Sequence, residues 1–362
     1  MAFLPHFHQT TTKRDRPALN TKLLPVSPES IAEAGEIIRA GGLVGFPTET
    51  VYGLGANALD GDAVRRIFEA KGRPGDNPLI THVASEEEIA PLITGGVSPA
   101  ARALMDAFWP GPMTLIFPKS DAIPPEVSAG LSTVGIRMPS HPAARALIRA
   151  AQRPIAAPSA NRSGRPSPTT ARHVLDDMDG RIPLILDGGP CEVGVESTVI
   201  DVTGDVPRVL RPGGVTPEMI AKACGAVEVD GAVMRPLKEG EQPRSPGMKY
   251  RHYAPEGDLT IFEGENGAVA AAIRARYDAA PDGSAAILAL PGHEALYGAR
   301  RVFPLGAADT AESVAAALFA LLRRLDDERV KHIFSEAVDS SGVGLAVMNR
   351  LSRAAAFHIE KV

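Results

Sequence analysis

Cations and small hydroxyls recur in this sequence where apolar runs stop. The stretch KGRPGDNPL at 71–79 puts Lys71 and Arg73 where a predicted helix runs out, with Asn77 just beyond. GIRMP places Arg137 at one predicted strand end and VLRPGG places Arg211 at another. PSANRSGRPSPT, after a further strand, offers Ser159, Asn161, Ser163 and Ser167. Arginine supplies forked donors that suit phosphate or carboxylate, and hydroxyls and amides add neutral donors. Loops carried on a rigid sheet are where binding groups gather. The plain alternative for Lys71 and Arg73 is a solvated pair that complements the negative end of a helix dipole.

Carboxylates stand in two similar loops. PTET brings Thr48, Glu49 and Thr50, and ESTVID brings Glu196, Ser197 and Thr198. Such a carboxylate could hold Mg²⁺ through water; capping of backbone donors at a turn accounts for it equally. His82 in LITHVA lies in a predicted strand, where a lone histidine is usually a satisfied core residue. GLGANA at 53–58 has the G-x-G-x-x-A form of a dinucleotide fingerprint. True fingerprint glycines directly follow a strand and open a helix, whereas here the polar PTETVY intervenes after LVGF, so a loop over PTETVYGLGANA, its glycines giving a tight backbone path, is the simpler reading. The sequence holds no G-x-x-x-x-G-K-[ST] loop, no H-E-x-x-H, no paired cysteine ligands and no serine–histidine–aspartate arrangement. Its chemistry should rest on positioning and charge stabilisation rather than on a covalent enzyme intermediate.

Those loops need a sheet to hold them. SPESIAEAGEIIRAGG predicts a helix with Ser27 as N-cap, Pro28 at the first helical position and Gly41 past the end. LVGF, NPLITHVA, MTLIFPKS, STVGIRMPS, RPIAAPSAN and IPLILDGG predict strands, and ESTVIDVTGDVPRVLRPGG a hairpin. GDAVRRIFEAKGR, SPAARALMDAFWPG, SPTTARHVLDDMDG and TPEMIAKACG predict helices. The mixture points to an α/β class with one sheet and covering helices. The pattern degrades through residues 225–257, which predicts a linker, and a second alternation of strands and helices then runs from Asp258 to the end. That tail carries few polar constellations. The expected organisation is an N-terminal extension over 1–20, a larger α/β unit over 21–224, the linker, and a smaller Rossmann-like α/β domain over 258–362.

Composition bounds the function. The chain has 362 residues, 44% hydrophobic and 22% charged, which is ordinary for a soluble protein of about two domains. No apolar run approaches the ~18 residues of a membrane span, and the N-terminal stretch lacks the layout of a secretory signal. Cys191 and Cys224 are too few for a disulfide framework or a zinc cluster, which fits a reducing cytoplasm. A formal charge of −5 argues against a large nucleic-acid surface but not against a nucleotide, whose phosphates need only a few local cations.

Taken in order, PTETVYGLGANA, KGRPGDNPLITH, STVGIRMP, APSANRSGRPSPT, ESTVID, LRPGG and SPGMKYRHYAP resemble the motifs of the long-form threonylcarbamoyl-adenylate synthases. Their catalytic part is the YrdC-like domain, a twisted mixed sheet with covering helices. The resemblance spans about residues 43–255, and the tail resembles the family's small C-terminal domain. It implies that L-threonine, bicarbonate and ATP give threonylcarbamoyl-adenylate and pyrophosphate. The product would serve the threonylcarbamoyladenosine modification beside the tRNA anticodon, with a downstream threonylcarbamoyl transferase as a possible partner.

Carried onto matching positions, the resemblance makes Lys71 and Arg73, with Ser159 and Asn161, the nucleotide-binding and catalytic core. Asn77, Thr133, Ser167 and Arg211 join them as ATP or adenylate contacts, and Thr50, His82, Arg137 and Ser197 become threonine contacts. IAA before PSAN departs from relatives that carry a hydroxyl there, which puts a side-chain contact at Ala157 in doubt. SPGMKYRHYAP at 245–255 is expected to fold over the pocket as a lid, with His252 or Tyr253 touching phosphates. Mg²⁺ is expected with ATP, its ligands unassigned, and no tightly bound organic cofactor is implied. A non-catalytic RNA-binding protein of the same fold and an NAD-dependent dehydrogenase are the competing readings; no stable nucleic-acid or membrane binding is expected of the leading one.

Overall fold

A computed structural model describes residues 19–235 and 253–362. Among them, eleven strands form one mixed sheet: β1 (Lys22–Pro25), β2 (Val44–Phe46), β3 (Gly53–Asn57), β4 (Ile80–His82), β5 (Met113–Pro118), β6 (Thr133–Arg137), β7 (Ile155–Ala157), β8 (Leu184–Asp187), β9 (Thr198–Asp201), β10 (Arg208–Arg211) and β11 (Glu228–Val229). Their order across the sheet is β1-β8-β2-β3-β7-β4-β6-β5-β9-β10-β11. The expected hairpin is the antiparallel β9–β10 pair.

The covering helices are α1 (Pro28–Arg39), α2 (Gly61–Lys71), α3 (Pro99–Phe108), α4 (Pro125–Ser128), α5 (Pro142–Ala151), α6 (Ala171–Met178) and α7 (Pro217–Cys224). Capping explains where they start. Ser27 and Ser30 form a reciprocal capping box, and Ser98, His141 and Thr216 each accept a first-turn N–H, every one followed by proline at the first helical position. Helix α5, from HPAARALIRAA, is an element the sequence reading passed over.

GLGANA corrects an expectation. Its glycines lie inside β3, paired antiparallel with β2 on one side and β7 on the other, so they form neither a loop nor the start of a helix. The reason is contact. A Cβ on Gly53 or Gly55 would come within 2.8 or 2.9 Å of the Phe46 ring, so the ring fits only against bare backbone. The dinucleotide reading falls with that observation.

The second sheet contains β12 (Asp258–Glu263), β13 (Ala285–Ala289), β14 (Val302–Pro304), β15 (His332–Glu336) and β16 (Ile359–Lys361), all parallel in the order β14-β13-β15-β12-β16. Helices α8 (Asn266–Ala279), α9 (Ala311–Asp327) and α10 (Gly344–Ala354) cover it. The Rossmann-like expectation for the tail holds. Its apolar cluster takes in Val51, Val195 and Tyr253, so the core is continuous with the first unit at their junction. Gly194 makes the approach possible: its φ is +76°, and a Cβ there would lie 2.4 Å from the Ala315 carbonyl oxygen of α9.

The expected linker begins as structure. Strand β11 pairs parallel with β10, and a short turn at Gly231–Val233 buries Ala232 and Val233. Arg353 of α10 donates to the Ala232 carbonyl at 3.1 Å, and Asn349 to the Val233 carbonyl. The tail's supposed poverty in polar constellations is likewise corrected, because α10 carries buried Asn349, Arg350 and Arg353.

Candidate active site

Lys71 is the last residue of α2. Asp60 caps the start of that helix, and Gly72, left-handed at φ +66°, ends it and turns the chain toward Arg73. Lys71 is only 3% exposed, so the solvated-pair alternative fails for it. Its Nζ donates to the Ser159 carbonyl at 2.5 Å, the Asn161 carbonyl at 2.6 Å and Asn161 Oδ1 at 3.3 Å. The Ser163 N–H returns a bond to the Lys71 carbonyl at 3.0 Å, which locks the serine-rich loop against the helix end. Ser159 Oγ bonds Asn161 Oδ1 in turn.

Neighbouring strands bring a second group together. His82 and Arg137 are register partners at the ends of parallel β4 and β6. Arg137 donates to Thr50 Oγ1 at 2.9 Å and to the Gly111 carbonyl at 3.3 Å, and Nη2 lies 2.7 Å from Glu49 Oε1. Ser197 sits before β9, its Oγ 2.8 Å from Thr114 Oγ1. Arg211 at the end of β10 donates to the Ser197 carbonyl at 3.1 and 3.0 Å and to Ser197 Oγ at 3.1 Å.

These two groups face one cavity. Lys71, Arg73, Ser159, Asn161, Arg211 and Tyr253 line it together with Thr50, His82, Arg137 and Ser197. Its empty space, mouth included, is about 720 Å³. Thr48, Ser163, Gly164 and Glu196 also line it, although the sequence assignment left them out of the site. Ala157 is in the wall as well, presenting a methyl group.

Three expected residues stand outside that lining. Thr133 lines a small adjoining space of about 280 Å³ with Pro78, Thr114 and Ile80, and Ile80 borders both spaces. Asn77 is fully buried just before Pro78, and its side-chain oxygen and nitrogen lack hydrogen-bond partners among the described residues. Ser167 does not face the cavity; its hydroxyl donates to Glu196 Oε1 in the wall. His252 and most of the expected lid lie outside the described residues. Tyr253, where the described chain resumes, is buried in the wall and stacked on Phe319 of α9 at 5.1 Å, and the next N–H, of Ala254, bonds the Gly164 carbonyl at 3.1 Å.

The electrostatics suit an anion. Burial, then the neighbouring Arg73 charge, pushes the Lys71 ammonium well below its ordinary range. Burial likewise lowers Arg211, to about 10. Buried cations of this kind are relieved by an incoming negative charge. Burial and the Arg137 charge bring His82 down to about 3, so it stays neutral, with Nδ1 3.3 Å from the Ile155 carbonyl oxygen. His82 is thus a satisfied buried histidine that also lines the cavity. Burial resists ionisation of Glu49, yet Arg137 outweighs it and holds the carboxyl below the usual range. Glu196 behaves the same way, with Arg350 as the principal opposing charge, its Nε 2.7 Å from Glu196 Oε2.

Comparison with known proteins decides the family. The chain is 48% identical to threonylcarbamoyl-AMP synthase of Bacillus subtilis over 336 residues, 92% of this chain and 95% of that one. The chain belongs to the threonylcarbamoyl-AMP synthase family. The synthase of Pyrococcus abyssi is also 48% identical, over 91% of this chain and 95% of its own length. Residues 36–213 match the family model described as "Telomere recombination", and residues 215–356 the one described as "Threonylcarbamoyl-AMP synthase, C-terminal domain". The crystal structure of P. abyssi Sua5 complexed with L-threonine superposes with a TM-score of 0.88 at 46% identity, covering 95% of this chain and 99% of that one. The expected family, its long form and the α/β fold are borne out.

Proposed function

We propose that the enzyme joins L-threonine, bicarbonate and ATP into L-threonylcarbamoyl-adenylate and pyrophosphate. Threonine's amine and bicarbonate form a carbamate and release water. A carbamate oxygen then attacks the α-phosphorus, and pyrophosphate leaves. Membership of the family supports the reaction; the observation that carries it in this chain is the meeting of two groups in one cavity. Lys71, Arg73, Ser159, Asn161 and Arg211 suit a phosphate chain, and Arg137 with Thr50, His82 and Ser197 suits threonine. The two reactants are thereby held side by side, where orientation contributes much of the rate. Charge spreading over the phosphoryl oxygens falls on Lys71 and Arg73, which take the catalytic roles. Buried side chains in the cavity wall would also limit the water that reaches the short-lived carbamate.

The nucleoside end fits the small space behind Ile80. Thr133 offers a hydroxyl there, and the buried Asn77 amide beside Pro78 lacks a partner among the described residues; both support an ATP-contact role. Tyr253 closes the wall beside the phosphates. Glu49 is engaged by Arg137, and Glu196 by Arg350 and Ser167, so these donors do not fit a metal held by the protein. Mg²⁺ enters instead on the phosphates of ATP, and the reaction needs no organic cofactor. The product supplies a downstream threonylcarbamoyl transferase that modifies tRNA beside the anticodon. A cytoplasmic setting suits these substrates, and among the described residues no helix is long and apolar enough to cross a membrane.

The test is pyrophosphate release from ATP with threonine and bicarbonate supplied together or singly. Release that needs both supports the reading. Release indifferent to threonine, or none at all, sinks it.

A further inference from the structure

Arg350, in the middle of α10, is among the largest side chains with no exposure to solvent. Besides its 2.7 Å bond to Glu196 Oε2, it donates to the Pro212 carbonyl at 2.9 Å and to Asn349 Oδ1 at 2.6 Å. Its guanidinium carbon lies 5.7 Å from the centre of the Tyr253 ring. One side chain of the C-terminal domain thus touches the residue before Ser197, the residue after Arg211, and the tyrosine in the wall. Asn349 and Arg353 fix the same helix to the carbonyls of Val233 and Ala232, so its position is set from both sides.

Glu196 lines the cavity together with Arg211. A carboxylate placed there competes with the ligand. It attracts the cations that a phosphate chain needs and repels the phosphates themselves, and between groups as buried as Glu196 and Arg211 both effects are strong. The structure answers with Ser167 on one carboxylate oxygen and Arg350 on the other.

We propose that Arg350 is a positioning residue for the nucleotide: by holding Glu196 from behind, it keeps that carboxylate from capturing Arg211 and preserves the cationic face of the cavity for an anionic phosphate chain. Arg350 acts through Glu196 and Arg211 and does not itself meet the ligand. The proposal rests on the ATP-dependent reading above and gives the C-terminal domain a part in substrate affinity, exerted through Glu196 and Arg211.

The test compares the full-length parent with Arg350→Met, Glu196→Gln and the double variant, using KM for ATP, KM for threonine, kcat and direct titration with Mg·ATP. Arg350→Met should raise the ATP KM and dissociation constant about tenfold, equivalent to ~1.4 kcal/mol, and leave the threonine KM within about twofold. Adding Glu196→Gln should return most of that loss, because the competing charge is gone. A merely structural role would lower kcat through the active fraction and leave the ATP KM alone. Arg350→Met with an unchanged ATP KM, or a double variant no better than the single one, overturns the proposal. If Arg350→Met does not fold, the double variant against Glu196→Gln makes the same comparison. In that neutral background the loss of Arg350 should cost less than about twofold in ATP affinity, and a tenfold loss there overturns the proposal. A parent without threonine-dependent turnover would instead refute the proposed reaction, and the ATP titration would then decide on Arg350 alone.

Discussion

The two sheets each hold a crevice at their strand ends, and the crevices treat charge in opposite ways. In the C-terminal sheet, β12 and β15 are neighbours whose connections leave in opposite directions, the switch point where α/β proteins commonly lodge ligands. Phe262, Glu263, Glu336 and Asp339 line the crevice there. Its buried carboxylate is satisfied locally: Tyr297 donates to Glu336 Oε1 at 2.6 Å, the Leu290 N–H donates to Oε2, and His293 Nδ1 lies 3.1 Å from both oxygens. The first N–H groups of α8 are already taken by Glu265. In the catalytic cavity Lys71 donates to two carbonyls and an amide oxygen and Arg211 to a carbonyl and a hydroxyl, while Arg137 pairs with Glu49. Topology nominates both places. The side chains delivered to them choose one.

The largest expected effect tests that choice directly. Lys71→Met removes a cation and leaves three oxygens without their donor. ATP turnover should fall about 10²–10³-fold, the cost typical of losing one charge-stabilising donor. Threonine binding by calorimetry should stay within a few-fold, because Arg137 and Thr50 hang on other elements. Equal loss of both ligands would show that the cavity is one undivided site and that the two groups described here have no separate meaning.

His82 offers a milder probe beside Arg137. Burial, then Arg137, places its folded value near 3, below the ordinary 6.5. The unfolded chain therefore binds the extra proton, and stability present above pH 6.5 is lost as pH falls toward 3. The lowered carboxyls Glu49 and Glu196 act in the same direction but only below about pH 4.5. Between pH 6.5 and 4.5 the histidines dominate, with His173, lowered to about 4 chiefly by burial, adding to His82. Urea midpoints across this window should fall for the parent, with His82 contributing up to about 1.4 kcal/mol per pH unit. His82→Gln should flatten that fall in part. An unchanged slope would mean that water reaches the ring and that the cavity is wetter than its walls suggest.

Much of the catalytic side was legible because it is written locally. Serine or threonine followed by proline starts α1, α3 and α7, and strands that stop at Arg137 or Arg211 announce which loops carry charge. Gly53 and Gly55 misled because glycine disfavours strands, and only the Phe46 ring across the pair explains them. The burial of Lys71 was hidden for a similar reason, since its acceptors arrive from residues 159 and 161. Arg350 was beyond reach. Its partner Glu196 lies 154 residues away in the loop before β9, and nothing in NRLSRAAA says that an arginine there is buried. Local chemistry can be read along the chain, but the pairing of distant charges is a property of the packed whole.

The smallest expected effect probes the quiet crevice. Tyr297→Phe deletes one hydroxyl from Glu336 and leaves the Leu290 N–H and His293 in place. The tyrosine is fully buried, so the change should cost about 1 kcal/mol of stability, the net worth of one hydrogen bond. Denaturation midpoints would measure that loss, and KM for ATP and for threonine should not move. The two crevices are joined through α10, which passes Met348 beside one and Arg350 beside the other. A shift in ATP KM on Tyr297→Phe would therefore mean that the helix transmits strain between them. The contrast between a catalytic cavity and a self-satisfied crevice would then give way to two coupled sites.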